Sequence, residues 1–251
     1  MKQKVLVVGA GLIAREYISI LKSLNKKCVV VGRGENNCNM LRKENPSDVV
    51  ILDGGIENYL KNIKVTNNEY SHSIVAVSEE NLGVVLGELL SAGFDNILVE
   101  KPGGIDFDEV IDIYNRFKDR KVFIAYNRRF YSSVRKARKI INSDGGSTSM
   151  HFDFTELYHL FLPLNKPKIV IDNLFFNNST HVLDLAFFLS SRPKKLIPQV
   201  NGGTDWHPDG AIFTGAGITE SGMPFSYHAN WDAPGRWGVE LNTKKHKLVF
   251  Q

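Results

Sequence analysis

A set of polar residues near position 180 has the spacing of a ligand-binding helix face. Asn177, His181 and Asp184 are spaced i, i+4 and i+7, so on one helix they share a face. Polar groups on such a face can converge on a ligand. An apolar face for packing lies beside it, formed by Val182, Leu185 and Leu189. The alternative is a core histidine, with His181 hydrogen-bonded to Asp184.

A glycine-rich turn near the start of the chain has the composition of a phosphate-binding turn. The segment Gly9-Ala10-Gly11-Leu12-Ile13-Ala14 is a G-x-G-x-x-A sequence between a strand pattern and a helix pattern. The two glycines let backbone N–H groups approach a pyrophosphate at the helix N-terminus. A plain tight turn with packing glycines is the alternative. The predicted dinucleotide site includes Gly9, Gly11, Leu12 and Ile13.

The end of the second predicted strand indicates which dinucleotide is preferred. An NAD-selective site carries an Asp or Glu there for the ribose hydroxyls, but this sequence has Gly32-Arg33-Gly34. Arg33 can stack on adenine and pair with a 2′-phosphate, which favours NADP over NAD. The alternative is a solvated Arg33 with Glu35 as the ribose partner, so NAD stays possible.

Residues that follow the fourth and fifth predicted strands complete the cofactor site. Ligands of open α/β sheets bind at the carboxyl ends of the strands. The fourth predicted strand ends at Val77, and the fifth is followed by Glu100-Lys101-Pro102-Gly103-Gly104. The expected cofactor contacts here are Val77, Ser78, Glu100 and Lys101.

The first half of the sequence alternates between strand and helix patterns. One helical pattern covers residues 82–90 and stops at Gly93, which is an expected C-cap. The alternation predicts a doubly wound parallel sheet with crossover helices. The six predicted strands cover residues 4–8, 28–31, 48–52, 73–77, 96–99 and 121–125.

The pattern changes after Tyr126, where we expect a second domain. A basic helix is predicted over residues 131–142, and a Pro/Lys-rich loop lies near 163–167. A helix over 175–190 is followed by consecutive strands. Including one before that helix, the predicted strands cover residues 148–155, 195–200, 211–219, 225–231, 237–243 and 247–250. The fold class is therefore α/β, with a Rossmann domain over residues 1–126 and an α+β domain with a mainly antiparallel sheet over 127–251.

Composition and charge exclude several functional classes. Of the 251 residues, 43% are hydrophobic and 23% are charged, as in ordinary globular proteins. The net charge of +4 is too small to indicate a nucleic-acid or membrane surface. Cys28 and Cys38 lie in no CxxC or Cys/His cluster, so we expect no metal site and no disulfide framework. We also find no signal-peptide pattern and expect a cytoplasmic protein.

Four motifs together carry a family resemblance. They are the G-x-G-x-x-A turn, Glu100-Lys101-Pro102, Ala125-Tyr126-Asn127-Arg128-Arg129-Phe130 and His181-Val182-Leu183-Asp184. With these motifs the sequence resembles the Gfo/Idh/MocA family of glucose-fructose and inositol-type oxidoreductases over nearly the whole chain. The resemblance implies an NAD(P)-dependent oxidoreductase that transfers a hydride between the nicotinamide and a secondary alcohol or ketone of a sugar-like or nucleotide-sugar substrate.

The resemblance also implies catalytic roles. In the family the lysine of the Glu-Lys-Pro motif holds or protonates the reacting hydroxyl, a role that falls to Lys101. A surface lysine before a proline turn is the alternative. His181 corresponds to the family's catalytic histidine, but Asn177 stands where the family typically has an Asp. An asparagine can orient a hydroxyl but cannot take its proton, so His181 and Lys101 share the acid and base roles.

Basic and aromatic residues are candidates for substrate contacts. Arg128 and Arg129 begin a basic stretch that can meet a phosphate or a carboxylate, but only Arg129, Tyr126 and Asp184 are placed at the substrate. A solvated helix face is expected for Arg135, Lys136, Arg138 and Lys139. Three tryptophans in the second domain can either stack on a sugar ring or pack in the core or at a subunit interface, and the sequence favours neither. They are Trp206, Trp231 and Trp237, with the polar neighbours His207, Asp209 and Arg236.

A second function and an assembly follow from the same resemblance. The second function is a non-catalytic nucleotide-binding protein, such as a cofactor sensor, that kept the fold without the carboxylate at position 177. Family members usually continue for several tens of residues beyond a strand like 247–250. A shorter second domain would expose an edge or a face of its sheet, so we expect a homo-oligomer formed through this sheet.

Overall fold

The computed structural model describes residues 4–45, 49–62 and 69–251. The chain divides into two compact units, Met1–Ala125 and Tyr126–Gln251, which we call the first and the second unit. A membrane-spanning helix would have to be longer and more apolar than any helix in the described part of the chain. The described residues also contain no group of three or more His, Cys, Asp or Glu side chains arranged to hold a metal ion.

The first unit contains a six-stranded sheet in the order β3-β2-β1-β4-β5-β6, in which all neighbouring strands are parallel. The strands are β1 (Lys4–Val8), β2 (Lys27–Val31), β3 (Val50–Leu52), β4 (Tyr70–Val75), β5 (Ile97–Val99) and β6 (Val122–Ile124). The doubly wound sheet expected from the sequence is therefore confirmed. Residue 48, where the third strand was predicted to begin, lies outside the described residues.

Helices cover both faces of this sheet because alternate strand residues are apolar on both sides. Val5 and Val7 belong to one buried cluster, and Leu6 and Val8 belong to another. The helices are α1 (Leu12–Ser23), α2 (Glu35–Glu44), α3 (Gly55–Asn62), α4 (Leu82–Ser91) and α5 (Phe107–Arg116). Beyond the end of α4, Gly93 has a φ of +86° and its N–H donates to Leu90 O at 3.0 Å, as expected for a C-cap glycine.

The second unit is built on a mixed sheet in the order β12-β11-β7-β10-β9-β8. Its neighbouring strands are antiparallel except for the parallel pair β7 and β10. Its helices are α6 (Ser132–Ser143), α7 (Tyr158–Phe161), α8 (Lys168–Asp172) and α9 (Thr180–Leu189). Its strands are β7 (Ser147–Phe154), β8 (Pro193–Asn201), β9 (Ile212–Thr219), β10 (Pro224–Asn230), β11 (Trp237–Thr243) and β12 (Lys247–Phe250). The mainly antiparallel sheet predicted from the sequence is confirmed.

The helix predicted over residues 175–190 is not a regular α-helix at its start. Phe175–Ser179 form a π-helical turn, and α9 begins at Thr180. A π turn has more residues per turn than an α-helix, so residue 177 does not lie at the α-helical angle to residue 181. Of the three residues predicted to share one face, only His181 and Asp184 lie on the same α-helix, and Asn177 lies in the π-helical turn.

The core of the second unit lies between helices and one face of the sheet. Phe152 and Phe154 of β7 are buried there, and α9 packs on β7 and β11. Trp231 is fully buried, its Nε1 donates to Phe154 O at 3.3 Å, and the Trp206 ring stacks on it at 5.7 Å. The sugar-stacking role considered for Trp231 is therefore wrong, because its ring is part of the core.

The other face of the central strands is polar. His151 Nδ1 lies 3.0 Å from Ser226 Oγ, and His228 Nδ1 lies 3.2 Å from Asp153 Oδ2. This face of the sheet is therefore not an uncovered apolar surface on which a second subunit could pack. Exposed apolar side chains lie instead on the edge strand β8, at Leu196, Ile197 and Val200. The homo-oligomer stays a prediction, with this edge strand as its surface.

Candidate active site

Gly9 lies where the strand order of the first unit reverses. From β1 the chain continues to β2 on one side of the sheet, and β4 lies on the other side. Gly9 follows β1 with a φ of +126°, and a Cβ at this position would lie 2.1 Å from the Ala76 carbonyl oxygen. Only glycine fits between the ends of β1 and β4. Ligands of open α/β sheets bind at such a reversal, outside the carboxyl ends of the strands.

The helix after this turn begins with exposed residues and has no side-chain cap. Gly11 is the N-cap of α1, and among the described residues no side chain caps it. Leu12 is 77% exposed and Ile13 is 51% exposed. The first-turn N–H groups carry partial positive charge and can donate to a phosphate. All four residues predicted from the glycine motif thus lie at or beside the reversal point.

Arg33 lies after β2 and is connected to the end of β4 through side-chain hydrogen bonds. Its Nη1 donates to Asn81 Oδ1 at 3.3 Å, and Asn81 Nδ2 donates to Ser78 Oγ at 2.9 Å. Ser78 Oγ donates in turn to Glu80 Oε1 at 2.7 Å. Val77 is half-buried next to Ser78. The predicted residues that follow β2 and β4 therefore lie together at the carboxyl ends of these strands.

The Glu88 carboxylate lies close enough to Arg33 to respond to its charge. Burial raises the pKa of Glu88, and the neighbouring Glu57 raises it further, whereas the charge of Arg33 lowers it. Part of the positive charge of Arg33 is therefore offset within the first unit. Glu35, the alternative ribose partner, is exposed at the first position of α2.

The segment that carries Lys101 is fixed at its base. Glu100 N donates to Val75 O at 2.9 Å, and the Tyr17 hydroxyl of α1 donates to Glu100 Oε1 at 2.6 Å. Burial, followed by the bond to Glu100, raises the pKa of Tyr17, so its hydroxyl stays protonated and remains a donor. Lys101 itself is half-buried. Tyr17 could not be recognised from the sequence pattern, because its contact with Glu100 joins residues 83 positions apart.

Arg129 and Asp184 form an ion pair in the second unit. Arg129 Nε lies 3.1 Å from Asp184 Oδ1 and 2.8 Å from Oδ2, and Nη2 also donates to Oδ1. The bond to Asp184 raises the pKa of Arg129, which is charged at any ordinary pH. Both residues were predicted to contact the substrate. The structure pairs them with each other, and the pair attaches α9 to the turn Asn127–Phe130.

Aromatic rings surround His181 on α9. Its ring centroid lies 6.1 Å from that of Tyr126, edge to face, and 5.9 Å from that of Trp237. His181 is half-buried. Burial raises the pKa of Tyr126, so the phenol stays neutral and remains a donor. Tyr126, predicted at the substrate, thus contacts the predicted catalytic histidine, and Trp237 joins them from β11.

Asn177 is buried, with an exposed fraction of 2%. Its Nδ2 donates to the Asn173 carbonyl oxygen at 3.0 Å. The amide group thus helps to close the π-helical turn before α9. A buried amide that bonds to the main chain supports the helix, which is a different task from the substrate contact expected from its position four residues before His181.

A cavity of about 800 Å³ lies within the second unit. Buried Glu156 is at its wall, where it accepts from Asn178 Nδ2 at 2.9 Å and from Ser179 Oγ at 2.6 Å. The Arg128 guanidinium stands over the Trp237 ring, 4.6 Å from its centroid. The lining residues are Arg128, Tyr131, Ser133, Val134, Thr155, Glu156, Leu157, Leu160, Asn178, Val182, Leu185, Gly235, Arg236, Trp237, Gly238, Val239, Val249, Phe250 and Gln251.

Comparison with known proteins finds likeness in structure. No protein-family model and no curated protein sequence matches the chain. An oxidoreductase from Agrobacterium radiobacter in complex with NAD⁺, L-tartaric acid and magnesium matches with a TM-score of 0.79 and 10% identity, over 100% of this chain and 75% of its own. Levoglucosan dehydrogenase in complex with NADH matches with a TM-score of 0.79 and 15% identity, over 100% and 73%. The WlbA dehydrogenase from Chromobacterium violaceum, in complex with NADH and UDP-GlcNAcA, matches with a TM-score of 0.72 and 13% identity, over 99% and 73%.

The chain has the fold of the Gfo/Idh/MocA-type oxidoreductases. The strand order of the first unit and the mixed sheet of the second are both part of this likeness, which spans nearly the whole chain. At 10–15% identity the likeness establishes the fold, and the activity is argued from the residues.

Within this Gfo/Idh/MocA-type fold, sequence reasoning missed Trp237 as a neighbour of His181 and Arg128 as the cation over the Trp237 ring. Arg128 and Arg129 are adjacent in a 3-10 turn, where successive side chains point about 120° apart. Only one of them can therefore reach Asp184. The two adjacent arginines in the sequence could have indicated this arrangement, since two neighbouring cations on one turn must lie in different surroundings.

Proposed function

We propose that the protein is an NAD(P)-dependent oxidoreductase that transfers a hydride between a nicotinamide and a secondary alcohol or ketone of a sugar-like substrate. The observation that carries the proposal is Gly9 at the strand reversal, where a side chain would collide with the Ala76 carbonyl. Gly9 permits this tight turn, and Gly11, whose Cβ would meet nothing within 4 Å, leaves room for a pyrophosphate beside the first N–H groups of α1. Three structures of the same fold contain NAD⁺ or NADH.

The residues after β2, β4 and β5 would hold the rest of the dinucleotide. Arg33 is proposed at the adenosine ribose, Val77 and Ser78 beside the middle of the cofactor, and Glu100 with Lys101 near the nicotinamide. The nicotinamide supplies the hydride chemistry when bound. The hydrogen bond from Tyr17 holds the Glu100 carboxylate and so restricts the position of the Lys101 backbone.

Proton transfer is assigned to Lys101 and His181. In the oxidative direction a base takes the proton of the substrate hydroxyl, and in the reductive direction the same group returns it. An amine and an imidazole can each take up and release a proton, which suits Lys101 and His181 to this role. Asn177 helps to form the turn that precedes His181, so we propose that it acts through the position of that side chain.

A cofactor titration followed by a turnover assay tests the proposal. NADPH and NADH fluorescence is titrated with the protein, and bound cofactor is then mixed with a panel of sugar ketones. We expect saturable cofactor binding and loss of fluorescence with at least one ketone. Gly9→Ala should abolish binding, whereas Gly87→Ala, which places its Cβ in open space, should leave it unchanged. Absence of any cofactor binding would refute the proposal.

A non-catalytic nucleotide-binding protein is the second candidate. The observation in its favour is Asn177, which replaces an ionisable group by an amide that bonds to the main chain. Such a protein would bind NADPH or NADH with the same dependence on Gly9. It would leave the fluorescence of bound cofactor unchanged with every sugar ketone in the panel.

A further inference from the structure

Arg128 has a cationic side chain in partly desolvated surroundings. Burial lowers its pKa, while Glu156 and Tyr131 act in the opposite direction. Its guanidinium lies on the face of Trp237, which leaves the edge with the N–H donors directed away from the ring. Within residues 4–45, 49–62 and 69–251, no hydrogen bond or ion pair uses those donors. A guanidinium in this state gains more from an anion than a fully solvated one does.

The neighbouring arginines show that this state is particular to Arg128. Arg129 donates to both oxygens of Asp184. Arg135 is exposed on α6, and Arg138 is exposed with its guanidinium over Phe188. Arg128 alone among these four lines the 800 Å³ cavity.

The charge of the cavity wall also favours an anion. Arg128 and Arg236 contribute two positive side chains to the lining, and Glu156 contributes one negative side chain, so the lining side chains together carry a charge of +1. The Glu156 oxygens already accept from Asn178 and Ser179. Neither of these bonds uses the Arg128 guanidinium, so its donors stay available to a ligand.

We propose that this cavity binds a carboxylate or phosphate group of the substrate, and that Arg128 is the residue that recognises it. The inference rests on the proposed function, because Trp237 contacts both Arg128 and the proposed catalytic His181. A volume of about 800 Å³ lies within the range of small-molecule sites, roughly 300–1,000 Å³. The substrate class is therefore an anionic sugar, with the side chains of Val182 and Leu185 against its less polar side.

Binding of matched anionic and neutral sugars tests this inference without any cofactor. D-glucuronate, D-glucose 6-phosphate and D-glucose are titrated by calorimetry into the full-length protein and into Arg128→Gln. We expect an anionic sugar to bind, and Arg128→Gln to weaken it at least tenfold. Arg135→Gln is the matched control and should change affinity less than twofold. Preference for one of the two anionic sugars tells whether the group is a carboxylate or a phosphate.

Two further measurements keep the result interpretable. Arg128→Lys retains the charge without the planar stacking and should bind with intermediate affinity. The emission of Trp237 should change on binding, and Trp237→Phe should remove that change. Equal affinity for glucose and the anionic sugars, failure of both anionic sugars to bind, or unchanged binding in Arg128→Gln overturns the inference.

The outcomes for the inference and for the proposed function are separate. Arg128-dependent binding of an anionic sugar in a protein that binds no dinucleotide would leave the anion site standing and overturn the oxidoreductase proposal. Oxidation of bound NADPH by neutral ketones, with no Arg128-dependent sugar binding, would do the reverse.

Discussion

Arg129 holds Asp184 through both carboxylate oxygens, while its neighbour Arg128 stacks on Trp237. The two adjacent arginines therefore have different tasks. Arg129 attaches the turn Asn127–Phe130 to α9, the helix that carries His181. Arg128, which lies over the Trp237 ring, lines the 800 Å³ cavity.

We predict that Arg129→Gln destabilises the protein by about 2 kcal/mol, because it leaves a carboxylate that is only 9% exposed without its charged donor. Urea unfolding measures the change. Asp184→Asn and the double variant complete a mutant cycle, in which a coupling energy near zero would contradict the prediction. Lys168→Gln removes an exposed i, i+4 pair with Asp172 and should cost less than about 0.5 kcal/mol.

Asp144 gives the second unit an acid-sensitive contact. Hydrogen bonds from His246 and Thr243 hold the pKa of Asp144 below its usual value of 3.8. A carboxyl group whose pKa is lowered by folding stabilises the protein above the unfolded pKa and loses this effect as the pH falls through the folded pKa. Asp144→Asn should therefore lower the urea midpoint at neutral pH, and the difference from the parent should shrink below pH 3.8. The prediction would be contradicted if the difference in urea midpoint between parent and Asp144→Asn did not change with pH. It would also be contradicted if the exposed control Asp209→Asn gave the same difference.

The cofactor preference follows from Arg33. We predict that NADP(H) binds at least tenfold more tightly than NAD(H), which is about 1.4 kcal/mol, because the guanidinium can pair with the 2′-phosphate. Arg33→Asp should reverse the preference, since a carboxylate repels that phosphate and accepts from a free ribose hydroxyl. Calorimetry with both cofactors decides the matter. Equal affinities in the parent protein would contradict the prediction.

The fold could be predicted from the sequence because its elements have strong local patterns. The six strands of the first unit are short β-branched runs, and Gly93 ends α4 through its own backbone preference. These features depend on residues close together in sequence. The short helices near 158–172 were missed, since segments of this length have too few residues for a periodic pattern.

The site was less predictable because its contacts are long-range. The Arg129–Asp184 pair joins residues 55 positions apart, and either residue alone looks like a free charge in sequence. The π-helical turn before α9 altered the position of Asn177, and nothing in the apolar spacing of that segment indicates it. Trp231 and Trp237 have the same residue type, yet only the packing of the sheet separates a core ring from one that contacts His181.

The last prediction concerns Lys101 and His181, which are assigned to the transition state, whereas Gly9 and Arg33 are assigned to the cofactor. Lys101→Met and His181→Asn should each lower turnover by roughly two to four powers of ten, the usual scale for a lost acid or base. NADPH affinity should stay within a few-fold of the parent value, measured by fluorescence titration of the same samples. Asn177→Asp is the informative companion. If the missing carboxylate limits turnover, restoring it should raise the rate; but because Asn177 Nδ2 donates to a carbonyl oxygen, the change to Asp also removes a donor and should lower the urea midpoint. Turnover at the parent rate in the Lys101 and His181 variants would show that neither residue transfers the proton.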